Sequence, residues 1–149
     1  MAITIHRALT ELKTNKERIS KELESAKFVG FRVGKTKIVN GVSIDEFSKR
    51  AMASYDRIVG LIDRHNSIKR AIVLSNAGVA NIDGVRKINV CGKQMTVAEA
   101  IERKTSIAFD EHLLLSMSSQ FSLVTNQIEN GNRMVSARLD DYLKSMFGG

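Results

Sequence analysis

One short capping motif occurs twice in this chain and determines where two of its helices can begin. Residues 42–47 (VSIDEF) and 95–100 (MTVAEA) both read apolar, Ser or Thr, two residues, Glu, apolar. In this motif the hydroxyl accepts a hydrogen bond from the backbone N–H three residues later, while the Glu carboxylate accepts one from the capping residue's own N–H. The flanking apolar residues close over the turn as a hydrophobic staple. The sequence therefore predicts helices that begin after Ser43 and after Thr96.

The second constraint is that none of the 149 residues is a proline. Proline interrupts helices and is common at the turns and edges of strand-rich proteins, so its absence favours long helices. Apolar residues also recur at alternating steps of three and four, which is typical of helices with a coiled-coil seam. We therefore predict a mainly α protein of elongated antiparallel long helices, coiled-coil-like, with a small β-hairpin insertion.

The periodicity divides the chain into segments of a single helical domain, residues 1–149. The predicted segments are an N-terminal heptad helix at 1–27, a basic loop or short strands at 28–42, a long helix at 43–76, a hairpin at 85–95 and C-terminal helices at 97–147. Glycine in the triplets 76–78 (NAG) and 130–132 (NGN) is predicted to end the second and third helices. A short fourth helix then completes the chain.

The predicted second helix is too long for a compact body of this size. At about 1.5 Å per residue it would span about 50 Å, whereas a globule of this length has a diameter of about 38 Å. An overhanging apolar seam is satisfied by a partner chain, so the sequence predicts a homo-oligomer. The predicted oligomer seam lies on the first helix and comprises Ile5, Leu9, Leu12, Ile19 and Leu23.

The net charge of +7 is concentrated in the middle of the chain, where residues 28–93 carry twelve Lys and Arg against five acidic residues. A basic surface of this kind can attract nucleic acid, a phosphate ligand or an acidic partner. A solvated basic surface without a ligand is the alternative. The residues predicted to bind an anion or a partner are Lys35, Lys37, Arg64, Lys69, Arg70, Arg86, Lys87 and Lys93.

No pattern of catalytic or metal-binding residues stands out. Residues 30–36 (GFRVGKT) have three residues between their glycines, whereas a phosphate-binding P-loop has four. The three histidines fall on three different predicted helices without a second ligand at helical spacing. His65 lies on the apolar seam of the second helix, which predicts a hydrogen-bonded core or interface histidine. The single Cys91 has no evident base partner. We therefore predict a non-enzymatic protein without a metal or cofactor. Since no apolar run approaches about 18 residues, we also predict no membrane span.

Two parts of the chain resemble known proteins. Residues 61–67 (LIDRHNS) and 92–104 (GKQMTVAEAIERK) are similar to the septicolysin-like helical proteins, in which a long helix, a small hairpin and a T-x-x-E-A helix follow one another. Residues 5–13 (IHRALTELK) and 39–43 (VNGVS) resemble uncharacterised proteins encoded by tailed phages of Gram-positive bacteria. The resemblance implies a viral origin and a non-enzymatic role, and it assigns no functional residue.

Two functions follow from the resemblance and the charge. The first is a structural or assembly component of a bacteriophage virion (head, neck or tail) that acts as a homo-oligomer and contacts other virion proteins. The alternative is a phage anti-defence or accessory protein that sequesters an anionic ligand such as a signalling nucleotide. The expected location is the virion or the host cytoplasm.

Overall fold

The computed structural model describes residues 4–76 and 87–148. Four helices and two antiparallel hairpins occupy these ranges. In chain order they are α1 (Ile5–Ser25), β1 (Ile38–Val39), β2 (Val42–Ser43), α2 (Ile44–Asn76), β3 (Lys87–Val90), β4 (Lys93–Thr96), α3 (Val97–Ser106) and α4 (Ala108–Phe147). The predicted fold class is confirmed. Three predictions fall partly outside the described ranges: the end of the second helix at 76–78, the hairpin at 85–95 and the basic residue Arg86.

The two capping motifs begin α2 and α3 as predicted, but they are not equally complete. The backbone N–H of Glu99 donates to Thr96 Oγ1 at 3.2 Å, and Glu99 Oε2 accepts from the Thr96 N–H at 2.7 Å. At α2 the N–H of Glu46 donates to Ser43 Oγ at 3.2 Å, while the Glu46 carboxylate pairs with Arg50 at 2.7 Å. Because Thr96 is buried and Ser43 is exposed, only the Thr96 motif is shielded from water.

The core lies between α1 and α2, which run antiparallel. Arg57 pairs with Glu22 at 2.8 Å and Arg64 with Glu11 at 2.7 Å, so residues that advance along α1 meet residues that recede along α2. Between these ion pairs the two helices bury their apolar faces. The largest core cluster contains Ile19, Leu23, Ala26, Ile58, Ile62 and Leu113, and a second cluster contains Ala8, Leu12 and Ile68.

The predicted oligomer seam on the first helix differs from the stripe that the structure buries. Leu12, Ile19 and Leu23 are buried within the chain by packing against α2, whereas Ile5 and Leu9 are 48% and 52% exposed. The buried stripe includes Ala8 and Asn15, which the predicted seam does not contain, and omits Ile5 and Leu9. The reason is that α2 of the same chain covers this face, and small Ala8 lies where Ile68 packs.

Both hairpins turn through residues with positive φ. Asn40 and Gly41 have φ of 50° and 82°, and Cys91 and Gly92 have φ of 51° and 81°. These pairs match the two-residue turns whose twist suits antiparallel strands. In the second hairpin Val90 pairs with Lys93 and Lys87 with Thr96, so β4 leads directly into the capped start of α3.

The C-terminal helices differ from the prediction in where the helix is interrupted. The predicted break at 130–132 is wrong, because α4 continues through these residues to Phe147. A lone glycine between two asparagines weakens a helix but does not end it. The bend lies instead at Ile107, where the backbone remains right-handed at φ −62° and ψ −20°. Arg103 and Asp110 form an ion pair across it at 2.9 Å.

Only the first part of α4 belongs to the body of the molecule. Phe109 contacts His65 of α2 edge-to-face, with the ring centroids 4.9 Å apart, and Leu113 belongs to the core cluster that α1 and α2 form. Among the described residues, Gln120 is the last one of α4 whose side chain hydrogen-bonds to the body of the molecule. Its amide donates to the Ala26 carbonyl at 2.9 Å and accepts from the Phe28 N–H at 2.8 Å. From residue 126 to residue 148 every side chain is exposed.

Candidate functional site

The predicted basic residues do not form one surface. Lys35 and Lys37 lie in the exposed segment before β1, and Lys87 lies on β3. Arg64 points toward α1, where it pairs with Glu11, whereas Arg70 points toward α3, where it pairs with Glu99. The described members of the set are therefore spread over three parts of the molecule. Arg86 lies outside the described ranges.

Lys69, Arg70 and Lys93 do come together at a polar cleft between α2, β4 and α3. Arg70 and Lys93 line this cleft, whose volume is about 390 Å³, and Lys69 lies at its α3 side. Four carboxylates and three cations line the cleft, so it carries no excess of positive charge. The charged lining residues are Asp63, Arg70, Lys93, Glu99, Glu102, Arg103 and Asp110.

Most cations at this cleft are already paired with carboxylates. Arg70 hydrogen-bonds to Glu99, and Lys69 Nζ lies 3.3 Å from Glu102 Oε1. Burial alone would raise the pKa of Glu99, but the Thr96 N–H and hydroxyl, together with the Arg70 guanidinium, hold it below its ordinary value. The cleft is thus an ion-pair network that fixes α3 on α2. An added phosphate could bind Lys69 or Arg70 only by breaking these pairs.

Two uncharged polar atoms at the same interface have no hydrogen-bond partner within residues 4–76 and 87–148. Asn66 Oδ1 faces the cleft and is buried without a donor, and His65 Nδ1 is buried on the same turn of α2. Among residues 4–76 and 87–148, no three His, Cys, Asp or Glu residues converge as metal ligands would. Nor does any described helix have the length and apolar character needed to cross a membrane.

His65 is a core residue, as its position on the predicted apolar seam of the second helix indicates. Its side chain is 6% exposed and its ring meets the edge of Phe109. Burial lowers its pKa, and the positive charges of Lys69 and Lys16 lower it further, while Glu102 opposes them. Burial between α2 and α4 therefore favours the neutral form of the imidazole.

The most extensive unusual surface is the projecting part of α4, residues 121–147. At about 1.5 Å per residue it extends about 40 Å from the body. Ten large apolar side chains are exposed along it: Phe121, Leu123, Ile128, Met134, Val135, Leu139, Tyr142, Leu143, Met146 and Phe147. Contiguous apolar surface on this scale is typical of an interaction site rather than of a free monomer surface.

Most of these side chains continue the face by which α4 packs on the body. From Leu113 and Met117 the stripe proceeds at steps of three and four through Phe121, Val124 and Ile128. Beyond Gly131 it continues to Val135, Leu139, Tyr142 and Met146. The predicted helix break at 130–132 would divide this stripe at Gly131, whereas α4 continues it.

Comparison of the chain with family models, curated proteins and solved structures gave no match. The resemblance noted from short stretches of the sequence therefore stays a prediction.

Proposed function

We propose that this protein is a non-enzymatic assembly component that self-associates through the projecting part of α4. The observation that carries the proposal is the apolar stripe on a helix that leaves the body after Gln120. Burying one Val, Leu, Ile, Phe or Met side chain contributes about 1.5–3 kcal/mol. Covering most of this stripe with a partner would therefore supply a large driving force for association.

The composition of the projecting helix also supports a partner. Asn130, Gly131 and Asn132 together cost about 2 kcal/mol of helix stability relative to three alanines. Most helix stability in proteins comes from packing of an apolar face, and in the body of this chain α4 receives such packing only up to about Val124. Association would give the remaining turns the packing that the described part of the chain does not provide.

The place of assembly that we propose is a phage virion, as a head, neck or tail component that contacts other virion proteins. Support for this finer assignment comes from the similarity of residues 5–13 and 39–43 to phage-encoded proteins. Mass spectrometry of purified particles of the encoding phage tests it. A stoichiometric virion protein is expected, and absence from the particles would overturn the virion assignment without touching self-association.

Leu139→Asp tests self-association directly. The full-length protein should sediment as an oligomer at micromolar concentration in analytical ultracentrifugation. Leu139→Asp should weaken the assembly by at least about tenfold in Kd, because it would bury an unpaired charge in the interface.

The matched control is Ile101→Asp on α3. Ile101 is 64% exposed and Leu139 is 55% exposed, but Ile101 lies outside the α4 stripe. This variant should keep the wild-type oligomer. A strictly monomeric wild-type protein, or equal loss in both variants, would contradict the proposal.

A further inference from the structure

We infer that two copies of this chain pair their α4 helices antiparallel over residues 126–148, with Tyr142 of each copy packed on Gly131 of the other. The inference rests on the self-association proposed above and specifies its geometry. It is carried by the spacing of large and small residues along the stripe. Gly131 is the one position of the stripe beyond the body that has no side chain, and Tyr142 is the bulkiest.

Gly131 meets no steric or backbone requirement in the described part of its own chain. Its φ is not positive, and a Cβ added there would meet no heavy atom within 4 Å. Glycine is among the weakest helix formers, so the position reduces helix stability without a compensating contact in the described residues. In helix pairs a glycine allows a partner's large side chain, or its backbone, to approach closely. A partner helix on this face would therefore account for it.

The antiparallel arrangement follows from the symmetry of the stripe. Pairing Tyr142 with Gly131 places Val135 opposite Leu139 and Ile128 opposite Met146, since all three pairs share nearly the same midpoint at Ala137. A two-fold axis near Ala137 therefore sets the bulkiest residue of the stripe against the glycine and pairs apolar side chains in the other two layers. A parallel pair would instead set Tyr142 against Tyr142 and leave two glycines facing each other at residue 131.

Charge and length are consistent with this interface. Tyr142 is the one ionisable residue of the stripe between residues 126 and 148. The charged residues of this segment all lie off the stripe: Glu129, Arg133, Arg138, Asp140, Asp141 and Lys144. The paired region is about 33 Å long, and five large apolar side chains of the stripe lie within it: Ile128, Val135, Leu139, Tyr142 and Met146. The partner's C-terminal end would lie opposite Asn126, beyond the Gln120 contacts, so the two bodies stay clear at opposite ends.

Disulfide trapping tests the geometry. In a Cys91→Ser background, which removes the one exposed native thiol, Val135→Cys and Leu139→Cys are made separately. Antiparallel pairing predicts rapid cross-linking when the two variants are mixed and little when each is oxidised alone. A parallel pair predicts cross-linking of each variant with itself. That result would overturn the inference and leave self-association standing, whereas a monomer in ultracentrifugation would overturn both.

Gly131→Leu provides a second measurement. The substitution raises the intrinsic helix propensity of α4 but fills the space assigned to the partner's Tyr142. We expect Kd to rise about tenfold or more because overpacking disrupts the interface, while monomer helicity by circular dichroism stays the same or increases. Tighter association of Gly131→Leu would show that the glycine accepts no partner side chain, and the inference would be wrong.

Discussion

Two buried polar residues, Asn15 on α1 and His65 on α2, interrupt an otherwise apolar helix interface. Asn15 is 4% exposed, and its Nδ2 has no hydrogen-bond acceptor within the described part of the chain. Such groups cost stability compared with apolar residues of the same shape. For His65 the cost depends on pH, since the ring carries no charge until it takes up a proton.

Stability should therefore fall as the solution is acidified below the ordinary histidine pKa of about 6.5. The folded protein lowers the pKa of His65, so between the two pKa values the unfolded chain binds more protons. The stabilising contribution of the neutral His65 ring is fully present above the unfolded-state pKa. It is lost as the pH falls from that value through the lower pKa of the folded state. Urea unfolding at pH 7.5 and 5.5 measures this difference.

Two variants make the measurement specific. His65→Phe should show a smaller decrease in unfolding free energy between these pH values, since the titrating ring is gone. His112→Gln, at an exposed position of α4, should behave as wild type. Glu11 and Glu99, whose pKa values are also lowered, lose their contributions below about pH 4.3, outside this range. An unchanged pH dependence in His65→Phe would contradict the prediction.

At the scale of elements, the capping motifs place α2 and α3 with different completeness. Thr96 is buried at 3% exposure, and both of its capping hydrogen bonds are formed. Ser43 is exposed and makes one. The carboxylate of Glu99 also pairs with Arg70, so the Thr96 motif couples the start of α3 to α2.

Thr96→Ala should lower the unfolding free energy by about 1–2 kcal/mol, toward the upper end of the range for loss of an N-cap. Ser43→Ala, the matched substitution at the exposed cap, should cost about 0.5 kcal/mol. Chemical denaturation of the two variants side by side measures the difference. An equal decrease in unfolding free energy in both variants would show that burial and the reciprocal hydrogen bond do not strengthen the cap at Thr96.

At the scale of the whole molecule, the charge of +7 is distributed over the surface and is partly neutralised by ion pairs. Four of the residues predicted to bind an anion illustrate this. Arg64, Lys69 and Arg70 are each paired with a carboxylate, and Lys93 shares its cleft with Glu99 and Glu102. The molecule has a basic net charge without a concentrated basic site among these residues.

We therefore expect no saturable rise in Tm when a nucleotide is titrated in a thermal-shift assay. Duplex DNA should bind at low salt through net charge alone and be lost near physiological salt, because such binding depends on counterion release. Glu102→Gln, which frees Lys69 from its carboxylate, should increase the response to nucleotide and serves as the positive control. A saturable rise with the wild-type protein would favour the alternative function of sequestering an anionic ligand.

Features that depend on neighbours in the sequence were predictable. They are the helix starts at Ser43 and Thr96, the end of α1 near residue 26 and the hairpin before α3. Each follows from hydrogen bonds and φ preferences within a few residues. The absence of proline correctly favoured long helices. His65 was also placed correctly in the apolar interior, because its position follows the helical period of α2.

The tertiary structure decided which faces meet and which charges are neutralised. Leu12 could have faced a partner chain or α2, and both arrangements satisfy the same periodicity; the antiparallel packing of α2 selects the second. Arg70 could have bound an external anion until Glu99, 29 residues away, came to lie beside it. The bend at Ile107 likewise joins two helices that contact different residues of α2. α3 pairs with Lys69 and Arg70, and α4 contacts His65. Local preferences set where each helix begins, whereas burial and ion pairing depend on groups far apart in the chain that only the folded structure brings together.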